Sequence, residues 1–150
     1  MREKGNYNLY PLLVDFDFTL KPLIRKLNFN PGQLIQFQIE PYIAYVSSPD
    51  SNAEAGVSFF IKMGILPQTS KFQPYLKAGA GMVYITQHTR EQSTQFNFID
   101  SGGIGVHYFL TKNTNLTLEG RYRHLSNAGI KHPNSGINTV FVVAGISYQF

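Results

Sequence analysis

Apolar and polar residues alternate with a period of two along most of this chain. In the segment 116–126, for example, Leu118 and Tyr122 share one face, whereas Glu119 and Arg121 share the other. Successive side chains of a β-strand point to opposite faces, so this pattern predicts strands rather than helices. The predicted strands are 10–20, 34–46, 54–65, 74–86, 102–111, 116–126 and 140–150.

Two architectures produce such alternating strands. A soluble sandwich or lipocalin-like barrel buries the apolar faces, whereas a membrane barrel turns them toward lipid. The polar faces carry charges of both signs mixed with glycine, which suits either a narrow polar lumen or a solvated sheet face. The alternation continues to the last residue through Ile146, Tyr148 and Phe150, and this ending resembles the assembly signal of bacterial outer-membrane barrels. The sequence therefore favours a small antiparallel transmembrane β-barrel.

The number of predicted strands bears on whether such a barrel could close. Each segment is close to the length of roughly ten residues that crosses a bilayer when tilted. Closed single-chain barrels have an even number of strands, usually at least about eight, and an open edge in lipid leaves backbone groups unsatisfied. Residues 1–6 lack the apolar core of a signal peptide. We therefore expect one N-terminal strand and the signal peptide to be missing from this chain.

Composition narrows the remaining possibilities. The length of 150 residues predicts a single domain spanning 1–150, and the absence of cysteine excludes disulfides and thiolate metal sites. The net charge is +4, but the basic residues are scattered, so no nucleic-acid partner is predicted. The four histidines are dispersed and no glycine-rich nucleotide loop is present. No metal or other cofactor is therefore expected.

One segment carries candidate chemistry. By the alternation, His124 and Ser126 share a face with Leu118 and Tyr122, the face predicted to meet lipid. Residues two apart on a strand are about 6.5–7 Å apart at the backbone, so their side chains can lean together. An imidazole beside a hydroxyl is the minimum for an activated nucleophile. The other interpretation places both residues among lipid headgroups, where polar side chains cost little.

The surrounding residues form a longer motif. Residues 124–130 read His-Leu-Ser-Asn-Ala-Gly-Ile, and residues 133–137 read Pro-Asn-Ser-Gly-Ile. This pattern resembles the signature of the lipid A 3-O-deacylase (PagL) family, and weaker similarity covers most of the chain. The resemblance implies an eight-stranded barrel in the bacterial outer membrane that hydrolyses an ester-linked acyl chain of lipid A. Alignment by the motif places residues 7–20 on the second strand, which agrees with a missing first strand.

The resemblance also implies a role for each residue of the motif. Ser126 is the expected nucleophile and His124 the expected general base. Asn127 is expected to support the geometry of the site. The expected oxyanion hole consists of the backbone amide of Gly129 and the side chain of Asn134.

One residue departs from the family pattern. The acidic residue that orients the histidine aligns with Asn138. Asparagine can accept a hydrogen bond from the imidazole, but it cannot offset the positive charge that histidine gains during the reaction. Either Asn138 suffices, an acid elsewhere substitutes for it, or the activity is weak.

Strand direction predicts where this site lies. With Phe150 at the periplasmic end, the strand 140–150 runs inward and 116–126 runs outward. The pair His124 and Ser126 then lies at the extracellular rim, beside the leaflet that contains lipid A. Two other functions stay open: a non-enzymatic or inactive outer-membrane barrel with a structural or lipid-binding role, and a soluble lipid-binding barrel. A homodimer is possible.

Overall fold

The computed structural model describes residues 7–28, 32–48, 50–87 and 93–148. The elements are β1 (Asn8–Leu13), β2 (Phe16–Thr19), α1 (Lys21–Arg25), β3 (Gln33–Ser48), β4 (Asn52–Pro67), β5 (Phe72–Ile85), β6 (Phe96–Phe109), β7 (Thr114–Ser126) and β8 (Ile137–Tyr148). One antiparallel sheet contains all of these strands in the order β1-β3-β4-β5-β6-β7-β8, and β2 pairs with β3 in line with β1. Apart from one short helix, the all-β antiparallel prediction is confirmed.

The predicted strand 10–20 is wrong in one respect, because the structure divides it into β1 and β2. The pairing register with β3 is the same on both sides of the break. Opposite the break lies Pro41, whose carbonyl accepts a hydrogen bond from the Val14 backbone N–H at 3.1 Å. Proline has no N–H to donate in return, so the ladder of hydrogen bonds is interrupted there.

The helix α1 was not predicted from the sequence. It has only five residues and carries Pro22 in its first turn, a position where the missing N–H costs nothing. None of its residues is buried. No helix among the described residues is long and apolar enough to cross a membrane.

The sheet curls until side chains from distant strands meet in its interior. Arg121 on β7 donates hydrogen bonds to Glu40 on β3, 81 positions away in sequence, and Arg123 on β7 donates to Glu54 on β4 at 2.8 Å. Tyr75 on β5 donates to Glu119 on β7 at 2.7 Å. The strands therefore surround a lumen, as in a barrel.

The two faces of this sheet have the reverse of the polarity found in a soluble barrel. The alternating polar residues line the lumen and are buried, whereas large apolar side chains on the other face are exposed, such as Leu118 at 55% and Val142 at 71%. Of the two interpretations of the polar faces, the lumen is correct. An outward apolar face of this kind matches a membrane barrel.

Charged residues in the middle of the lumen are paired. Lys77 forms ion pairs with Glu40 at 3.3 Å and Glu119 at 3.0 Å, and Arg121 bonds to the same two carboxylates. Lys62 pairs with Asp17 at 2.8 Å. Removing one member of a buried ion pair leaves an uncompensated charge, so this lumen network constrains how the strands are arranged around it.

The lumen becomes apolar near one end. A cluster that we term the rim core contains side chains from the ends of β5 and β7 and from the start of β8, beside the loop 127–136. We refer to this end of the barrel as the site rim. Burial of apolar side chains stabilises the rim core at about 25 cal/mol per Å². Its buried members are Tyr42, Ala44, Val83, Ile85, Ile99, Leu125 and Ile137.

Two edges of the sheet remain apart. Within the described residues, no backbone pairing joins β8 to β1 or β2. A cleft of about 640 Å³ separates them, with Leu12, Val14 and Phe16 on one side and Val142 and Ile146 on the other.

Candidate functional site

The site forms where β7 ends and β8 begins. Ser126 is the last residue of β7, and the loop 127–136 leads back to Ile137 at the start of β8. His124 on β7 pairs in register with Asn138 on β8. The alternation turns His124 and Ser126 to the outer face and Leu125 into the rim core, where it is fully buried.

Asn138 orients the imidazole of His124. Nδ1 of His124 lies 2.6 Å from Oδ1 of Asn138. Because Oδ1 can only accept, Nδ1 carries the proton and donates it, and the unprotonated nitrogen is Nε2. This is the tautomer that a general base requires. The structure thus brings together His124 and Asn138, and Ser126 lies two residues after His124 on the same face of β7.

Tyr122 contacts the same oxygen of Asn138. Its hydroxyl donates a hydrogen bond of 3.0 Å to Oδ1. The phenol is 48% exposed and lies on the outer face, two residues before His124 on β7. Oδ1 therefore accepts two hydrogen bonds, one from Tyr122 and one from His124.

Gly136 packs against the imidazole from the loop. A Cβ at this position would lie 2.6 Å from Cε1 of His124, closer than real Cβ contacts occur. Its φ angle is +71°, in the left-handed region that favours glycine. Two independent constraints therefore require glycine beside the ring.

The chain turns sharply after Ser126. Ala128 has a φ of +53° and Gly129 a φ of +77°, so two consecutive residues adopt left-handed conformations. Left-handed backbone is unfavourable for alanine, at roughly 1–2 kcal/mol. The turn is held by Asn127, whose side chain is fully buried in the loop.

Asn127 connects the loop to itself and to a neighbouring loop. Its Nδ2 donates to the Lys131 carbonyl at 2.7 Å and to Oγ of Ser93 at 3.3 Å. Its Oδ1 accepts the backbone N–H of Gly129 at 3.0 Å. The amide predicted to serve the oxyanion hole is therefore bonded to Asn127 in this structure, and its role stays a prediction.

Asn134 is held in a defined orientation. Its Oδ1 accepts the backbone N–H of Asn127 at 3.0 Å. The carboxamide has its donor group on the opposite side from its oxygen, so Nδ2 remains able to donate elsewhere. Such a donor, fixed by a bond to its other end, is suited to an oxyanion.

The side-chain hydroxyl of Ser126 makes no hydrogen bond within the described residues, including to His124. Distances between catalytic groups are often long without substrate and shorten when it binds. Opposite Ser126 on β6 lies Phe98, which stacks edge-to-face on Phe96 at 5.4 Å between ring centroids. The hydroxyl thus stands at the border of an apolar outer surface.

Three residues near the site were missed by the sequence prediction. Tyr122 and Gly136 were read only as an outward aromatic and as part of a motif. Asp100 fell outside the predicted strand 102–111, yet β6 begins at Phe96 and pairs Asp100 with His124. Phe96 and Phe98 alternate with the polar Asn97, and this short alternation could have extended the predicted strand toward residue 96. The described residues contain no group of three or more His, Cys, Asp or Glu arranged to hold a metal ion.

Comparison with known proteins gives the family. The family model "Lipid A 3-O-deacylase (PagL)" matches residues 16–147, nearly the whole chain. The chain belongs to this family. The expected resemblance is therefore confirmed, and the site described above lies within the matched residues.

Individual relatives agree with this assignment. The lipid A deacylase PagL of Bordetella bronchiseptica is 35% identical over 79 residues, a match that covers 51% of this chain and 41% of that protein. The chain thus matches less than half the length of this curated relative. A crystal structure of the outer membrane enzyme PagL superposes with a TM-score of 0.76 at 16% identity, covering 95% of this chain and 91% of that one. This likeness shows that the PagL-family barrel fold is shared.

Proposed function

We propose that this protein is a lipid A 3-O-deacylase of the bacterial outer membrane, with Ser126 as nucleophile and His124 as general base. The observation that carries the proposal is the 2.6 Å bond from His124 to Asn138 on the outer face. It leaves Nε2 of His124 unprotonated two residues from Ser126, at the edge of an apolar surface. Polar side chains on a lipid-facing surface are energetically costly, so such a pair is a candidate for a functional role.

The proposed reaction is acyl transfer to serine followed by hydrolysis. Nε2 of His124 takes the proton of the Ser126 hydroxyl as Oγ attacks the ester carbonyl carbon of the substrate. The tetrahedral intermediate collapses when the bond to the sugar oxygen breaks, and His124 returns the proton to that leaving oxygen. Water, deprotonated by His124, then attacks the acyl-serine ester, releasing the fatty acid and restoring Ser126.

Asn134 is the best-placed donor for the oxyanion. Its Oδ1 is already held by the Asn127 backbone, so Nδ2 needs no reorganisation to donate to the developing charge. Preorganised donors of this kind contribute about 3–4 kcal/mol each. The Gly129 N–H can contribute a second donor if it turns from Oδ1 of Asn127 toward the substrate.

The outer face explains why the substrate would be a lipid. Leu116, Leu118, Val140 and Val142 cover the strands below the site and are each at least 44% exposed. In a bilayer these side chains contact acyl chains, and the site rim lies near the headgroups. An ester at the border between sugar and acyl chain, as in lipid A, would meet Ser126 at that depth.

Asn138 limits the proposed activity. It fixes the tautomer but does not stabilise the imidazolium by charge, so the rate should be lower than with a carboxylate. Asp100 offers a compensating charge, since its exposed carboxylate stands on the outer face as the cross-strand partner of His124. On a partly solvated surface such an interaction is worth only about 1 kcal/mol.

Mass spectrometry of lipid A incubated with detergent-refolded protein tests the proposal. Wild type should release one ester-linked acyl chain, and Ser126→Ala should release none. Ser135→Ala, which removes an exposed hydroxyl from the same loop, is the matched control and should retain activity. Both variants should keep heat-modifiable migration on gels, which reports a folded barrel.

A non-enzymatic barrel is the second candidate, because Asn138 replaces an acid and the Gly129 amide is occupied. If wild-type protein that has been verified to be folded releases no acyl chain from lipid A, the non-enzymatic barrel becomes the favoured function. A homodimer in the membrane is a further proposal, which crosslinking in vesicles would test.

A further inference from the structure

Asparagine at position 138 can adopt two orientations that differ in hydrogen bonding, whereas a carboxylate at this position could not. A carboxylate offers an accepting oxygen in either orientation, whereas a carboxamide has one accepting end and one donating end. If the amide of Asn138 turned over, Nδ2 would donate to Nδ1 of His124. The proton of the imidazole would then lie on Nε2, and that nitrogen could not accept the proton of Ser126.

A second donor is aimed at the same atom. The Tyr122 hydroxyl donates to Oδ1 of Asn138 at 3.0 Å while His124 donates at 2.6 Å. A phenol is a better donor than acceptor because its oxygen lone pair is partly delocalised into the ring. The pair Tyr122 and His124 therefore favours the orientation that presents Oδ1, and disfavours the turned-over amide.

We propose that Tyr122 is a positioning residue that holds the Asn138 carboxamide with its oxygen toward His124, and thereby selects the imidazole tautomer that can activate Ser126. This proposal rests on the proposed function, since it concerns the same site. Tyr122 acts through Asn138 and does not touch the reacting atoms. With a carboxylate at 138 the role disappears, because either oxygen can accept.

The register of the strands explains how the two donors converge. His124 lies directly opposite Asn138, and Tyr122, which pairs with Val140, reaches Asn138 diagonally. A diagonal neighbour at about 7–8 Å between backbones is within reach of a tyrosine side chain. The geometry uses only residues of the β7–β8 hairpin, so it does not depend on the conformation of the loop.

A double-mutant cycle tests the inference. In the Asn138 background, Tyr122→Phe should lower kcat about tenfold with little change in KM; in the Asn138→Asp background, the same substitution should cost less than about twofold. Phenylalanine keeps the aromatic ring on the outer face, so packing and membrane contact are preserved. Equal fractional losses in the two backgrounds, or no loss in either, would overturn the proposal.

A spectroscopic measurement separates this inference from the proposed function. In ¹⁵N-histidine-labelled protein in micelles, the nitrogen shifts of His124 should report protonated Nδ1 in wild type. Tyr122→Phe should shift the population toward protonated Nε2, and Tyr122→Phe with Asn138→Asp should restore protonated Nδ1. An unchanged tautomer in Tyr122→Phe refutes the positioning role whether or not the protein deacylates lipid A. If the tautomers change as expected in these variants but wild-type protein releases no acyl chain, the positioning role stands and the proposed deacylase function is refuted.

Discussion

The inner and outer faces of β7 use polar residues in opposite ways. On the inner face, Glu119, Arg121 and Arg123 are at most 4% exposed and are bonded to partners on β3, β4 and β5. On the outer face, His124 and Ser126 are only half-buried, and the Ser126 hydroxyl has no hydrogen-bond partner among the described residues. The paired face holds the barrel together, whereas the outer face keeps a hydroxyl and a ring nitrogen available to a substrate.

This contrast shows how the outer face of a barrel with a filled interior could support a reaction. The barrel interior is filled by the lumen network and by the rim core, and no substrate site is needed there. The strand backbone that the interior makes rigid fixes the spacing of His124 and Ser126 on its other side. Rigid elements position a site more accurately than loops do.

Disrupting the ion pairs of the inner face should have the largest effect on the stability of the barrel. Arg121→Met removes one ion-pair partner of the buried Glu40 carboxylate and leaves it paired with Lys77, so we expect a loss of about 3–5 kcal/mol in unfolding free energy. Urea unfolding in lipid vesicles measures this loss. The matched outer-face variant Gly120→Ala, whose added Cβ meets nothing within 4 Å, should be close to neutral. Equal losses in the two variants would contradict the division of roles between the faces.

After Ser126→Ala, Asn134→Ala should have the largest effect on activity among variants that leave the barrel folded. Removal of one preorganised oxyanion donor lowers kcat about 10²- to 10³-fold. The half-buried side chain also bonds the Asn127 backbone, so Asn134→Asp is the informative companion. Asp keeps the accepting oxygen for Asn127 but has no Nδ2 donor. Activity retained in Asn134→Asp would show that the side chain only supports the loop.

Gly136→Ala should lower activity roughly 100-fold, because displacement of catalytic groups by about 1 Å can have this effect. The cause would be the Cβ contact with Cε1 of His124. Gly136→Asn distinguishes the contact from backbone strain, since asparagine tolerates a left-handed φ but still carries a Cβ. We expect similar losses in both variants when initial rates are compared. Recovery in Gly136→Asn would assign the effect to strain.

Asn138→Asp should have the smallest effect and the opposite sign. A carboxylate keeps the bond to His124 and adds a negative charge beside the imidazolium, so we expect kcat to rise by about tenfold, equivalent to about 1.4 kcal/mol. Initial rates on lipid A at fixed ionic strength measure the change. A larger gain when Asp100→Asn is combined with Asn138→Asp would point to repulsion between the two acids. A loss of activity in folded Asn138→Asp would show that the neutral side chain is required.

Much of the architecture could be read from local pattern. The period of two, the polar face that contains Glu119 and Arg121, and the outward direction of His124 and Ser126 all follow from the alternation along single strands, and each is seen in the structure. The motif led to the family for the same reason, because its residues are close together in sequence. The break at Val14 was not predicted, since it depends on Pro41 in the partner strand.

The sequence by itself predicted an antiparallel β-barrel with a candidate site at the end of β7. Only the tertiary structure decided which charges pair in the lumen, because residues such as Arg121 and Glu40 are 81 positions apart in sequence and meet only when the sheet curls. It also decided that Tyr122 and Gly136 serve His124 and Asn138. Those contacts arise across strands and from a left-handed loop, where neither the period of two nor the spacing in sequence carries information.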